Sequence, residues 1–291
     1  WLAFGSGVGI EISGPRGAES LHAAAVRVRP GRARVLDTLA VEALSQQASG
    51  VWGTQFSAFL RKYGLRHVAA TVVLPRRDVI LRHLALPGVS DKDLAAAIEF
   101  QMEGLHPYPE DEAVSSWVRI PATASVLIAV TRRAVLDRYT AMFAEAGVKI
   151  GCFTCSAAVV YSALRLLGNP PPVAGLLAYQ TTATGTEVYG ESPARPLFSA
   201  IFDVPADRAT ALAAAELRLD PNTEVHHLAE RLRADWPLPY AAALASACPF
   251  LSLPLNLLPV GQRQFDSRAK WIPSAALGAA VPLLAIGCSF S

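Results

Sequence analysis

The chain has 291 residues, of which 52% are hydrophobic and 17% charged, with a formal net charge of +2. That is room for two modest domains or one large one around a sizeable core. A nucleic-acid footprint is missing, because no dense Lys/Arg cluster interleaved with aromatics stands out, and the low cysteine use fits a reducing compartment.

In chain order, Val8 to Ile12 alternates like a strand. Ser20 to Val28 and Arg34 to Leu39 can pair with it around a Pro30-Gly31 turn. Val51 to Tyr63 reads as a helix with Gly64 at its C-terminal cap. His67 to Leu74 and Asp78 to Leu86 read as strands. Ser90 and Asp93 resemble a capping box for a helix carrying Leu94, Ile98, Met102 and Leu105 on one face. Pro107 and Pro109 end it. Strands over Val114 to Ile120 and Ser125 to Val130 precede an amphipathic helix, Arg132 to Ala146, closed by Gly147. A strand (Val148 to Phe153) and a helix (Ala157 to Leu167) follow. Asn169 to Pro172 is the best boundary. Beyond it come a meander (Val173 to Tyr179, Thr186 to Tyr189, Leu197 to Val204), a helix from Pro205 to Leu217, a short strand within Asn222 to His227, and a last helix, Leu238 to Ala247. Strands and helices mixed in two similar halves predict an α/β or α+β architecture.

The lone Cys152-Phe153-Thr154-Cys155 pair reads as two small core residues at a strand end, since no second pair completes a metal site. Adjacent His226 and His227 point apart on a strand, and Glu99 and Glu103 form a solvated helical face. No nucleophile stands beside a base, so no catalytic residue is assigned. Ile272 to Phe290 carries no charge and is long enough to cross a hydrocarbon core. Arg263, Arg268 and Lys270 flank only its N-terminal side, and Trp271 sits where an interfacial aromatic would. Positive residues stay cytoplasmic, so the expectation is a single-pass anchor over 271–291 with the body before it in the cytoplasm. Asn256-Leu257-Leu258-Pro259 lies between body and anchor.

Leu74-Pro75, Val79 to Pro87, Asp93-Leu94 and Ala97 to Gln101 together resemble the signature region of the type IV pilus assembly protein PilM. Trp117-Val118, Val126 to Val130 and Ala146-Gly147-Val148 continue the resemblance in order, over roughly Gly7 to Leu167. The cytoplasmic part of the type II secretion protein GspL shares this layout. The resemblance implies an α/β, actin-like (ribonuclease H-like) fold in two halves. The first, 1–168, would carry an inserted small subdomain, and the second, 173–250, would be reduced. It also implies that Asn256, Leu257, Leu258 and Pro259 match the docking peptide that PilN presents to PilM, with 255–270 as motif and basic linker. Leu257 and Leu258 would be apolar anchors, Asn256 would bond a groove's backbone, and Pro259 would hold the peptide extended. The chain then reads as a natural PilM–PilN fusion or a GspL-like equivalent. It would be a bacterial inner-membrane scaffold, not an enzyme, that forms homodimers or higher oligomers. Its partners would be other pilus or secretion platform proteins, including an assembly ATPase, and no nucleic acid.

Actin-like proteins hold nucleotide between two phosphate hairpins. In PilM the first reads like Asp-Ile-Gly-Ser-Ser followed by lysine. The matching stretch here is Glu11-Ile12-Ser13-Gly14-Pro15-Arg16. Glu11 can replace the aspartate as a weak cofactor residue and Arg16 the lysine, but Pro15 removes a donor. The second hairpin's counterpart, Ala178 to Thr182, has no acid. The expectation is a degenerate site without ATP, Mg or any other metal. An ATP-binding ATPase whose nucleotide state switches partner affinity is the alternative.

Overall fold

The computed structural model describes residues 4–168, 171–172 and 174–264. The expected anchor, 271–291, and the linker residues Arg268 and Lys270 lie outside the described residues. No helix among those described is long and apolar enough to cross a membrane.

Three antiparallel strands open the chain: β1 (Gly5–Ser13), β2 (Ser20–Arg29) and β3 (Arg32–Val41). Helix α1 (Ser49–Lys62) leads to β4 (Ala70–Val73), which lies parallel to β1. Gly64, at φ +70°, ends α1, and the Leu65 N–H returns to the Leu60 carbonyl. An insertion follows: β5 (Ile80–Ala85), α2 (Leu94–Met102), β6 (Ala113–Arg119) and β7 (Ser125–Arg132). Its sheet, in the order β5-β7-β6, packs α2 through Leu94 and Ile98 against Val126, Ile128 and Val130. Ser90 bonds Asp93 as a turn before α2, but Asp93 caps no helix N–H with its side chain. Its carboxylate accepts from the Ser90 hydroxyl at 2.7 Å instead.

Helix α3 (Arg133–Glu145), β8 (Ile150–Thr154) and α4 (Ser156–Leu166) complete the first sheet, ordered β3-β2-β1-β4-β8. Three antiparallel strands followed by two parallel ones is the ribonuclease H-like order. The chain then repeats most of it. Strands β9 (Leu176–Thr182), β10 (Gly185–Glu191) and β11 (Phe198–Phe202) are antiparallel, helix α5 (Ala206–Leu217) crosses over, and β12 (Val225–His227) joins β9 in parallel. The order β11-β10-β9-β12 is the first sheet without its fifth strand. This partial duplication is the layout of actin-like proteins.

After short α6 (Leu228–Leu232), helix α7 (Pro237–Ala247) crosses back onto β1. The contact is close because both sides are small. A Cβ on Gly5, Gly7 or Gly9 would strike carbonyls of Ala247, Ala243 or Pro239. On the other face of the sheet, Trp52 meets Phe143 edge-on at 5.8 Å, and Phe143 lies 6.2 Å from Phe153. One core therefore runs through the first sheet into both flanking helix layers.

Candidate functional site

Two places gather the residues that the sequence singles out: the edge of β8 and the cleft between the two sheets. β8 is an edge strand, so its outer backbone groups need partners. The segment after α7 supplies them. The Leu257 N–H donates to the Phe153 carbonyl at 2.8 Å, and the Gln264 N–H donates to the Ile150 carbonyl at 3.0 Å. Asn256 bridges both backbone functions of the strand. Its Nδ2 donates to the Gly151 carbonyl (2.9 Å), while its Oδ1 accepts from Phe153 N–H (3.2 Å) and from Leu258 N–H (2.9 Å). The Asn256 N–H reaches Ser116 Oγ on β6 at 3.3 Å, so the peptide also touches the insertion.

Leu255, Leu257 and Leu258 are each 1% exposed, deep in the main core. Pro259 stands at φ −55° and ψ 143°, an extended setting. Arg263 closes the turn by donating to the Leu258 carbonyl at 2.8 Å. The four expected docking residues thus come together against this chain's own β8. Beneath the segment, between β8, α4 and α7, lies an apolar cavity of about 490 Å³ lined by Val68, Cys152, Val159, Ala245 and Leu253 among others. Cys152 sits in that wall, and Cys155 is buried in the core at the end of β8. Burial pushes their thiols up to about 12 and about 11, which leaves them unreactive as thiolates.

The cleft is built from the expected first hairpin and from residues that sequence reasoning missed. Its walls include Glu11 to Gly14, Pro75 to Arg77, Ser156, Thr182, Thr184 and Glu187. The β1–β2 hairpin is tied down by one side chain from outside it and one of its own. Arg77 donates to the Gly14 carbonyl, and the Gly17 N–H bonds Glu19 at 2.9 Å. Arg16, aligned with the phosphate lysine, turns instead to buried Asp78 at 2.6 Å. Across the cleft, Glu187 on β10 supplies an acid where Ala178 to Thr182 offered none. It accepts from Ser156 Oγ, from Gln180 at 3.4 Å and from Ser199 at 3.5 Å.

Arg76 spans the gap. Its guanidinium donates to Val79 O on its own side (2.6 Å) and to Ser199 O on the other (2.9 Å). Glu11 faces Glu187 in this space. Its carboxyl is pushed up to about 8, first by desolvation and then by the Glu187 charge. Side chains leave about 30 Å³ open, no more than about one water and far below the several hundred Å³ of a usual ligand site. Nothing in the local sequence signals Arg76 or Glu187 as cleft residues. Only the meeting of the two halves makes them so.

The remaining candidates are structural. His227 accepts from the Ala229 N–H at the start of α6, and its ring meets Tyr179 edge-on. His106 stacks on Tyr108 at 5.8 Å. No group of three metal-ligating side chains occurs among the described residues.

No family model matches the chain, and no curated protein matches it in sequence. Solved structures do. The cytoplasmic domain of EpsL, an inner-membrane component of the type II secretion system of Vibrio cholerae, is similar at a TM-score of 0.55 and 13% identity. The match covers 89% of this chain and 100% of that one. The chain has the fold of that domain. The PilM–PilN type IV pilus biogenesis complex is similar at a TM-score of 0.51 and 17% identity, over 74% of this chain and 66% of the other.

Proposed function

We propose that this protein is a scaffold of a bacterial inner-membrane assembly platform, of the type IV pilus or type II secretion kind. In this reading, residues 255–264 serve as a built-in docking peptide. The observation that carries the proposal is the Asn256-centred ladder on β8, by which one chain holds both a PilM-like body and a PilN-like motif. Tethering gives the peptide a high effective concentration, so the dock needs little intrinsic affinity and stays closed in every copy. The fold shared with EpsL and PilM supports the platform reading. The apolar run from Ile272 to Phe290 supports a single-pass anchor with the body on the cytoplasmic side. A cleft filled by Arg76, Glu11 and Glu187 supports a body that works by binding partners, an assembly ATPase among them, rather than by hydrolysing ATP.

The dock is tested with Leu257→Asp plus Leu258→Asp. Losing two buried leucine anchors costs about 3 kcal/mol or more, so proteolysis between Cys248 and Gln264 rises roughly a hundred-fold. Equal cleavage of variant and parent removes the docking claim. The platform reading is tested by affinity isolation of the full chain from detergent-solubilised inner membranes. It expects pilus or secretion platform proteins in the eluate and falls if none is recovered.

A further inference from the structure

One end of the first sheet carries a concentration of positive charge; within it Arg29 donates to the Val28 carbonyl at 3.1 Å and stands 6.0 Å from the centre of the Phe4 ring. β2 and β3 are joined through Gly31 at φ +73°. The register sets Arg27 opposite Arg34 and Arg29 opposite Arg32. Cross-strand partners share a face, and so do residues two apart on one strand. Four guanidiniums therefore stand on one side of one hairpin. All four are exposed, and none has a carboxylate partner among the described residues. Like charges set directly opposite weaken a strand pair, so two such pairs in succession call for an external anion.

The surroundings point the same way. Exposed Arg66, ahead of β4, and exposed Lys149, ahead of β8, lie at this end of the sheet. The stretches 26–37, 60–69, 147–150 and 248–264 contain a single acid, Asp37, and Lys62 takes it at 2.8 Å. Helix α7 finishes here against Gly5, and just beyond it Phe250 is 99% and Leu251 56% exposed. Gln264 lies at this end too, bonded at the first residue of β8. In sequence, Phe265 to Ala269, with one acid (Asp266) and one base (Arg268), separate Gln264 from Lys270, Trp271 and the apolar run.

We infer that this end of the sheet lies on an anionic lipid surface. The arginines meet headgroup phosphates, which they can grip with two N–H groups each, and Phe250 and Leu251 enter the interfacial layer. A nucleic acid would satisfy the same cations but leave both apolar side chains in water. The inference rests on the anchor reading above only in placing the body beside a membrane.

The test uses the full chain carrying Phe250→Trp, with the parent as background, on vesicles of brominated phosphatidylcholine with and without phosphatidylglycerol. The added fluorescence is quenched several-fold more in the anionic vesicles. High salt removes the difference, and Arg29→Gln plus Arg32→Gln weakens it by roughly five-fold per arginine. Equal quenching in both lipids, or none in either, overturns the inference. So does random duplex DNA that displaces the chain from anionic vesicles at equal phosphate. Co-sedimentation separates this idea from the anchor. A chain that pellets only with anionic vesicles and is stripped by salt keeps the basic face and loses the anchor. A chain that pellets with both lipids and is quenched alike in both keeps the anchor and loses the basic face.

Discussion

Glu11, half-buried, and Glu187, buried, face each other in a narrow cleft, where two like charges are costly. Glu187 has Ser156, Gln180 and Ser199 as hydrogen-bond donors and Arg76 as a nearby cation. Glu11 has no such set, so the proton rests on Glu11. The folded chain keeps that proton up to about pH 8, whereas the unfolded chain loses it near the ordinary 4.5. Between those values folding takes up a proton, so stability falls as pH rises through the window and is greatest below it. Glu11→Gln removes the titration while keeping the side chain's shape. Thermal melts are expected to show a gain of a few degrees at about pH 8 and little change at about pH 5. A difference that does not vary with pH would mean that Glu11 is solvated in the folded chain. The resemblance of Glu11 to Arg16 to a phosphate hairpin marks Glu11 as a stand-in for an aspartate; its role as a proton holder follows from Glu187, which no motif marks.

At the scale of elements, the strands and helices were largely legible, because alternation and helical periodicity are local. Less legible was the reason for Gly5, Gly7 and Gly9. In sequence they read as lying before the strand, not between strand and helix, and so make no dinucleotide fingerprint; the structure puts them inside β1. Their purpose is to admit α7, an alanine-rich helix from the far end of the chain. Gly9→Ala places a methyl against the Pro239 carbonyl, and a helix backbone cannot yield as a flexible side chain can. The expected cost is about 3 kcal/mol, read as a lowered denaturant midpoint at unchanged slope. A midpoint equal to the parent's would show that α7 sits further from β1 than described. The β2–β3 hairpin shows the opposite lapse. Its four arginines lie within eight residues of sequence, yet composition showed no aromatic-laced cluster. Strand register is what turns that short stretch into a single charged face.

For the whole molecule, the decisive contact is Arg76, which joins the first half to Ser199 of the second. Mg-ATP is expected to leave the melting temperature unchanged, since the filled cleft offers no folded-state site to stabilise. A rise of several degrees would show that the halves part and would restore the ATPase reading. The sequence by itself determined the local elements, the glycine and proline stops between them, the resemblance in the first half and the Asn256 to Pro259 motif. All of these depend on residues near one another in the chain, where periodicity and turn chemistry act directly. Only the tertiary structure decided that the second sheet repeats the first without its last strand, that the motif lies on this chain's own β8, and that Arg76, Glu11 and Glu187 occupy one cleft. Those facts depend on which surfaces meet. Edge strands need backbone partners, and buried carboxyls respond to the charges packed against them, wherever in the chain those charges originate.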